Sequence, residues 1–243
     1  MRLKTLVTVA AVVAAAIFYS VLLGQNRSGA SPSDESARTE NVATVFGEIM
    51  RALDETIPSR LVNKAAGIAV ITRVVSVSPV GSPYGKGLVA QRNADGSWAT
   101  PLFIEIRGGN VGRHFDAEDA DLIIIFTNRS GIVSILKGKL TIGPHASAAA
   151  GPIGRTAEAG AGNPLSSAMY SYSRSKGLLA GIALSGVVIR LDDEANKSVY
   201  GNNSIGPDTG APSGADLTIV QPFLDALRKY ANGEAPRLNT RER

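Results

Sequence analysis

The residues of this chain best suited to chemistry are cations and tyrosines set among glycines. In Met169–Gly181 (MYSYSRSKGLLAG), Tyr170 and Tyr172 alternate with serines and lead into Arg174 and Lys176. Lys86 sits between Gly85 and Gly87, Lys137 and Lys139 bracket Gly138, and Arg60 and Lys64 stand just ahead of the first strand-like run. A glycine turn exposes backbone N–H groups and a neighbouring cation adds charge, so such loops can cradle a phosphate. A tyrosine suits the level of a lipid headgroup, with its ring buried and its hydroxyl wet. Gathered by folding, these nine residues would hold an anionic headgroup. Left scattered, the cations would only solubilise the surface.

Enzyme chemistry has less to work with. Only two histidines are present, His114 and His145. His114 shares its loop with Asp116, Glu118, Asp119 and Asp121, which would suit a general acid–base or metal site. No second histidine stands at ligand spacing, and a solvated acidic turn accounts for the same residues. Neither a G-x-S-x-G nucleophile elbow nor a phosphate loop of the G-x-x-x-x-G-K-[ST] type occurs. Gly85–Ala90 fits G-x-G-x-x-A, yet it enters a β-type run rather than a helix, so dinucleotide binding is set aside. The absence of cysteine removes disulfides, thiolate zinc and cysteine nucleophiles. Asn-x-Ser sequons at Asn26, Asn128, Asn196 and Asn202 are attributed to chance. The expectation is a protein without catalytic activity, metal or cofactor.

The elements that must position these residues follow from periodicity. Arg2 and Lys4 precede an apolar run from Leu6 to Leu23, which makes residues 1–24 a signal anchor or a signal peptide. Either role places the rest on the periplasmic or extracytoplasmic side, since positive flanks stay in the cytoplasm. Residues 25–40, rich in Ser, Ala and charge, read as a flexible linker. From Asn41 as N-cap, apolar residues at Val42, Val45, Phe46, Ile49, Ala52 and Leu53 form one helical stripe. That stripe could lie on a membrane or pack on a core, and its mixed-sign polar face favours the core. A second helix is expected over Ser59–Ala66. Strand-like runs cover Ile68–Val77, Gly87–Arg92, Trp98–Arg107 and Leu122–Thr127, with a turn at Asn93–Gly96. Met169–Leu191 reads as a strand with one wet face and a bulge at Gly186. Residues 41–201 form the main domain, 202–233 a turn-rich segment with a helix from Pro222, and 234–243 a frayed tail.

Hydrophobic content of 44% with 19% charge is that of a globular chain. A net charge of +4, spread along the sequence, does not form the concentrated footprint of a nucleic-acid binder. The expected fold is α+β: mainly antiparallel β-sheet, able to close into a small barrel, with N-terminal and C-terminal helices packed on it.

Several separated motifs add a resemblance. MYSYSRSKGLLAG, then Asp192–Gly201 (DDEANKSVYG), and upstream Tyr84–Gly87 (YGKG), Gly108–Gly112 (GGNVG) and Gly143–Arg155 (GPHASAAAGPIGR) stand in one order. From about Leu61 to Gly201 the chain resembles the SYLF lipid-binding domain, found in yeast and animal actin-patch regulators and in bacterial envelope proteins. The resemblance implies a membrane-tethered lipid-binding protein of the cell envelope. Its ligands would be anionic phospholipids or a membrane surface, held by Arg60, Lys64, Lys86, Lys137, Lys139, Tyr170, Tyr172, Arg174 and Lys176. The alternative is a structural or scaffolding protein with protein partners. Between Ser78 and Pro83 two prolines stand where relatives often carry a longer glycine-rich hairpin, and the expectation is that the protein-interaction domain of the yeast and animal branch is missing. The expectation therefore points to lipids rather than to actin.

Overall fold

Leu122–Phe126 has no polar face, and the fold gives it none: the strand that contains it is buried from both sides at the middle of a sheet. The computed structural model describes residues 31–52, 56–76, 83–109, 120–143, 146–154, 167–201 and 217–231. Residues 1–30, 53–55, 77–82, 110–119, 144–145, 155–166, 202–216 and 232–243 lie outside them, and with them the expected anchor, His114 and His145.

Among the described residues the strands are β1 (Gly67–Ser76), β2 (Pro83–Gln91), β3 (Leu102–Arg107), β4 (Ala120–Phe126), β5 (Lys139–Thr141), β6 (Ala148–Ala150), β7 (Met169–Ser175), β8 (Leu178–Gly181) and β9 (Val188–Leu191). The helices are α1 (Pro32–Arg51), α2 (Ser59–Asn63), α3 (Ser130–Leu136), α4 (Asp193–Tyr200) and α5 (Gln221–Ala231). The nine strands form one sheet in the order β5-β9-β3-β2-β1-β4-β7-β6, with β8 also on β7. Every pairing is antiparallel except β6 with β7. The fold is thus α+β, with the sheet curled into a half-barrel.

The curl brings the two ends of the sheet near each other, and the segment from Ile182 to Val187 stitches across the gap. Its Ile182 N–H donates to Ser171, Leu184 to Ala148 and Gly186 to Ile142, while Val187 C=O accepts from the Ile142 N–H. Ile71, Ile104, Ile106, Leu122, Ile124 and Ile189 are buried on one face of the sheet. Glycine permits the close backbone approaches that the curl requires. A Cβ on Gly87 would sit 2.0 Å from the Val70 carbonyl oxygen, and one on Gly109 would meet the backbone of Val187 at 2.3 Å.

The helices cover the other face. Val42, Phe46 and Ile49 of α1 are buried, and the Phe46 ring meets Phe223 and Tyr230 of α5 edge-on at 6.4 and 6.3 Å. The apolar stripe of α1 is therefore occupied by protein. No helix among the described residues is long and apolar enough to cross a membrane.

Two local expectations are corrected. The first helix begins at Pro32, not after Asn41, so 32–40 is helical rather than linker. Proline at the start of a helix and acids (Asp34, Glu35) in its first turn favour that beginning, which a composition-based reading of a polar stretch overlooks. The stretch from Met169 is not one long strand with a wet face. Ser175 pairs with Leu178, and Lys176 and Gly177 between them both have positive φ (50° and 83°), the geometry of a two-residue hairpin turn.

Gly87→Ala should lower stability by about 1–3 kcal/mol, the usual cost of overpacking. The check is a fall in the urea midpoint with an unchanged m-value. Gly96→Ala is the comparison: nothing lies within 4 Å of a Cβ there, so only its positive φ of 86° opposes the side chain.

Candidate functional site

The strand register lines up seven side chains at one level on the helix-bearing face. Reading across β7, β4, β1, β2, β3, β9 and β5, they are Arg174, Asp121, Thr72, Lys86, Glu105, Arg190 and Lys139. Residues opposite each other in an antiparallel pair project to the same side, so these charges form one row. The bulge at Thr72/Val75 interrupts the row, and there Arg73, at φ 54°, donates its N–H to the Asp121 carboxylate.

At the middle of the row lies Asp192, whose side chain is only 5% exposed. It accepts from Lys86 Nζ at 2.8 Å and Arg38 Nη1 at 3.0 Å, and it caps α4 by accepting from the Ala195 N–H. Burial works to raise its pKa, but the Lys86 bond and charge, the Ala195 N–H and Arg38 outweigh it, so the carboxyl is held below its ordinary value. Burial likewise works against the Lys86 ammonium, and Asp192 overrides it, leaving that pKa raised. Arg38 also stacks over Phe103 and lies 3.0 Å from Glu35. Glu35 is fully buried with no hydrogen bond to either oxygen, and its burial raises its pKa despite Arg38.

Next along the row, Glu105 is buried beneath two arginines. Arg107 donates to both carboxylate oxygens at 3.2 Å, and Arg190 Nε donates to Oε1. Arg107 also stacks on Tyr84 at 5.2 Å. These arginine side chains remain 57% and 50% exposed. A guanidinium carries five N–H donors, and Glu105 uses two of Arg107 and one of Arg190. Lys139, exposed, stands opposite Arg190. Two arginines therefore share one buried carboxylate with Lys139 beside them in the row, and the surplus is positive.

The nine expected site residues do not make one cradle. Lys86 is consumed by Asp192, and Arg174 by Glu48 of α1 at 2.7 Å. Lys137 and Lys139 are exposed at the β5 edge. In the strand order β5 stands six places from the β7 that carries Arg174. Lys176 is exposed at the β7–β8 turn, while Arg60 lies in α2 and Lys64 caps its C-terminus, at the opposite end of β1. Tyr170 and Tyr172 are buried, not wet: the Tyr172 hydroxyl donates to Pro152 and the Tyr170 hydroxyl accepts from the Ser167 N–H. Burial pushes the Tyr172 pKa upward. Five of the glycines in these segments offer no open N–H groups. Those of Gly108, Gly138, Gly151, Gly154 and Gly186 all donate to backbone carbonyls.

The residues missed from sequence are Arg38, Glu105, Arg107, Arg190 and Asp192. Asp192 had a readable signal, an aspartate three residues before Ala195 at the head of an amphipathic run. The Glu105 cluster had none, because it depends on β3 pairing with a strand over eighty residues later. The Asn196 sequon is spent on structure: its amide bonds both backbone groups of Phe103. Among the described residues no cluster of three or more His, Asp or Glu could hold a metal ion.

Residues 107–229 match the Ysc84 family model, described as Las17-binding protein actin regulator. An SH3 domain-containing protein of Schizosaccharomyces pombe is 33% identical over 70% of this chain and 41% of its own length. Protein YSC84 of Saccharomyces cerevisiae is 32% identical over 71% of this chain and 38% of its own. The human SH3 domain-containing YSC84-like protein 1 is 28% identical over 87% of this chain and 64% of its own. The chain thus spans about two fifths of these fungal relatives.

Asp192→Asn should cost about 2 kcal/mol at neutral pH, less than the ~3–5 kcal/mol for a fully buried pair because Lys86 is partly exposed. The two acids respond to pH in opposite senses. Asp192, with its lowered pKa, stabilises fully above the ordinary carboxylate range and loses that contribution as pH falls through its folded value. Glu35, with its raised pKa, stabilises below that range and loses the contribution as pH rises through its folded value. Urea unfolding from about pH 4 to neutrality should therefore show Glu35→Gln gaining stability relative to the parent as pH rises, and Asp192→Asn losing it.

Proposed function

The chain belongs to the Ysc84 family, and from that premise we propose that it is a non-enzymatic module that binds anionic phospholipid headgroups. In this reading residues 1–24 tether it, and the folded part works on the extracytoplasmic side of the membrane. The observation that carries the proposal is the surplus of charge over Glu105. Arg107 and Arg190 are pinned by a buried carboxylate yet keep further donors toward solvent, and Lys139 stands beside them. A guanidinium held in place loses little freedom on meeting a phosphate, and its planar fork matches the phosphate oxygens. Lys137, just before β5, extends the same edge.

The capture rests on side chains alone. Glycine N–H groups play no part in it, and neither do Tyr170, Tyr172 or Lys86, whose polar groups are occupied inside the fold. A surface cation near an anionic bilayer contributes about 1 kcal/mol, so four of them on one edge suffice for useful affinity.

A protein partner is the second reading. The family description names Las17 as a binding partner of its members, and a basic edge fits an acidic peptide as well as a headgroup.

The test is flotation of residues 31–243 with phosphatidylglycerol and with phosphatidylcholine vesicles at low and high salt. Binding should require the anionic lipid and fade with salt. Arg107→Gln with Lys139→Gln should weaken it roughly thirtyfold, about 2 kcal/mol for two cations. Arg190 is kept so that Glu105 is not left unpaired. Lys64→Gln, at the far end of β1, should leave binding unchanged. No binding to either vesicle would overturn the lipid reading in favour of the protein partner.

A further inference from the structure

The strand register places a second feature at the end of the sheet that carries Arg107. Ser175 follows Arg174 on β7, as Ala120 precedes Asp121 on β4, and Ala120 stands opposite Val74. Val75 faces Tyr84, and Tyr84 faces Arg107. Ser175, the last residue before the β7–β8 turn, is thus at the same end of the sheet as Arg107. The tip of that hairpin, Lys176-Gly177-Leu178, projects from this rim.

Leu178 is 67% exposed, the more exposed of the two large apolar side chains found at the surface among the described residues. A single surface leucine is ordinarily without meaning. The rim that carries it sets this one apart. Lys176 is exposed in the same two-residue turn, Arg73 is exposed at the bulge of β1, and Arg107 is exposed at the end of β3. A tight hairpin that carries an exposed aliphatic side chain beside its turn, on a rim whose other strands end in these cations, matches the layering of an anionic bilayer. Apolar chains lie below a plane of phosphates, and the leucine reaches the first while the cations meet the second.

We propose that this rim is the membrane-docking end of the molecule, with Leu178 entering the acyl region of an anionic bilayer and Lys176, Arg73 and Arg107 meeting its phosphates. The proposal rests on the lipid reading above and adds an orientation to it. The strands stand steeply on the bilayer, α1 and α5 are not the inserted elements, and the turn at Asn93–Gly96 points away.

The native sequence supplies an internal control. Its one tryptophan, Trp98, is bridged to Arg92 beyond the end of β2, far from the rim, and lies under the Arg92 guanidinium. The full chain carrying Leu178→Trp would be reconstituted in phosphatidylglycerol and in phosphatidylcholine vesicles, with either brominated acyl chains or a dansyl headgroup lipid. The expected result is that brominated chains in the anionic vesicles quench the emission added by the Leu178→Trp substitution, and that high salt reverses the quenching. Trp98 emission in the parent protein should stay unchanged. Energy transfer to the dansyl headgroups that rises in anionic vesicles without bromine quenching would overturn the rim orientation while leaving headgroup binding in place. Neither signal differing between the two lipids would overturn the headgroup reading and this orientation with it.

Discussion

A carboxylate taken out of water must be paired, and in this fold the pairing of Asp192 decides where everything around it can go. Its partners come from three elements: Arg38 on α1, Lys86 on β2 and the first turn of α4, which it caps. The first half of α1 buries Glu35 and Thr39 but none of its large apolar side chains until Val42, so its seat on the sheet depends on Arg38 reaching Asp192 and stacking on Phe103. The same requirement removes Lys86 and Arg38 from any role toward a partner. Under the proposed reading, binding is left to the cations that outnumber the carboxylate they share.

That sorting leaves the charge row balanced at one side and over-supplied with cations at the other, the side to which the proposal assigns binding. Toward β7, Arg174 meets Glu48 and the signs balance. Toward β5, Glu105 is shared by Arg107 and Arg190, and Lys139 follows with no acid in the row. Buried acids hold their arginines at fixed positions, and the arginines left over-supplied are those a headgroup can use. The residues of the proposed docking end are positioned by ordinary strand pairing and one hairpin turn.

Much of the fold was legible because its signals are local. The unbroken apolar run at Leu122–Phe126, the turn at Asn93–Gly96 and the stripe Val42-Phe46-Ile49 each carry their own periodicity. The start of α1 was hidden, since residues 32–40 are polar and their buried members, Glu35 and Thr39, are held by contacts rather than by hydropathy. The glycine-and-cation motifs pointed at real structural constraints with the wrong cause. Gly87, Gly109 and Gly151 are required where backbone or ring atoms crowd against them, not to bare their N–H groups to a phosphate. Lys86 sits between two such glycines, and it turns inward. The site itself depends on pairings between β2, β3, β9 and β5, and no reading of adjacent residues contains that information.

The family relationship covers a module that accounts for about two fifths of the length of its fungal relatives. Within that module, the proposed binding falls to the few cations that the charge row leaves unbalanced. Hydrogen–deuterium exchange of the protein with and without phosphatidylglycerol vesicles tests that most directly. Added protection at residues 105–107, 175–178 and 188–190, with α2 and the Asn93–Gly96 turn unchanged, is the result this account predicts. Protection confined to α2, or none at any of these positions while the protein is bound, would contradict it.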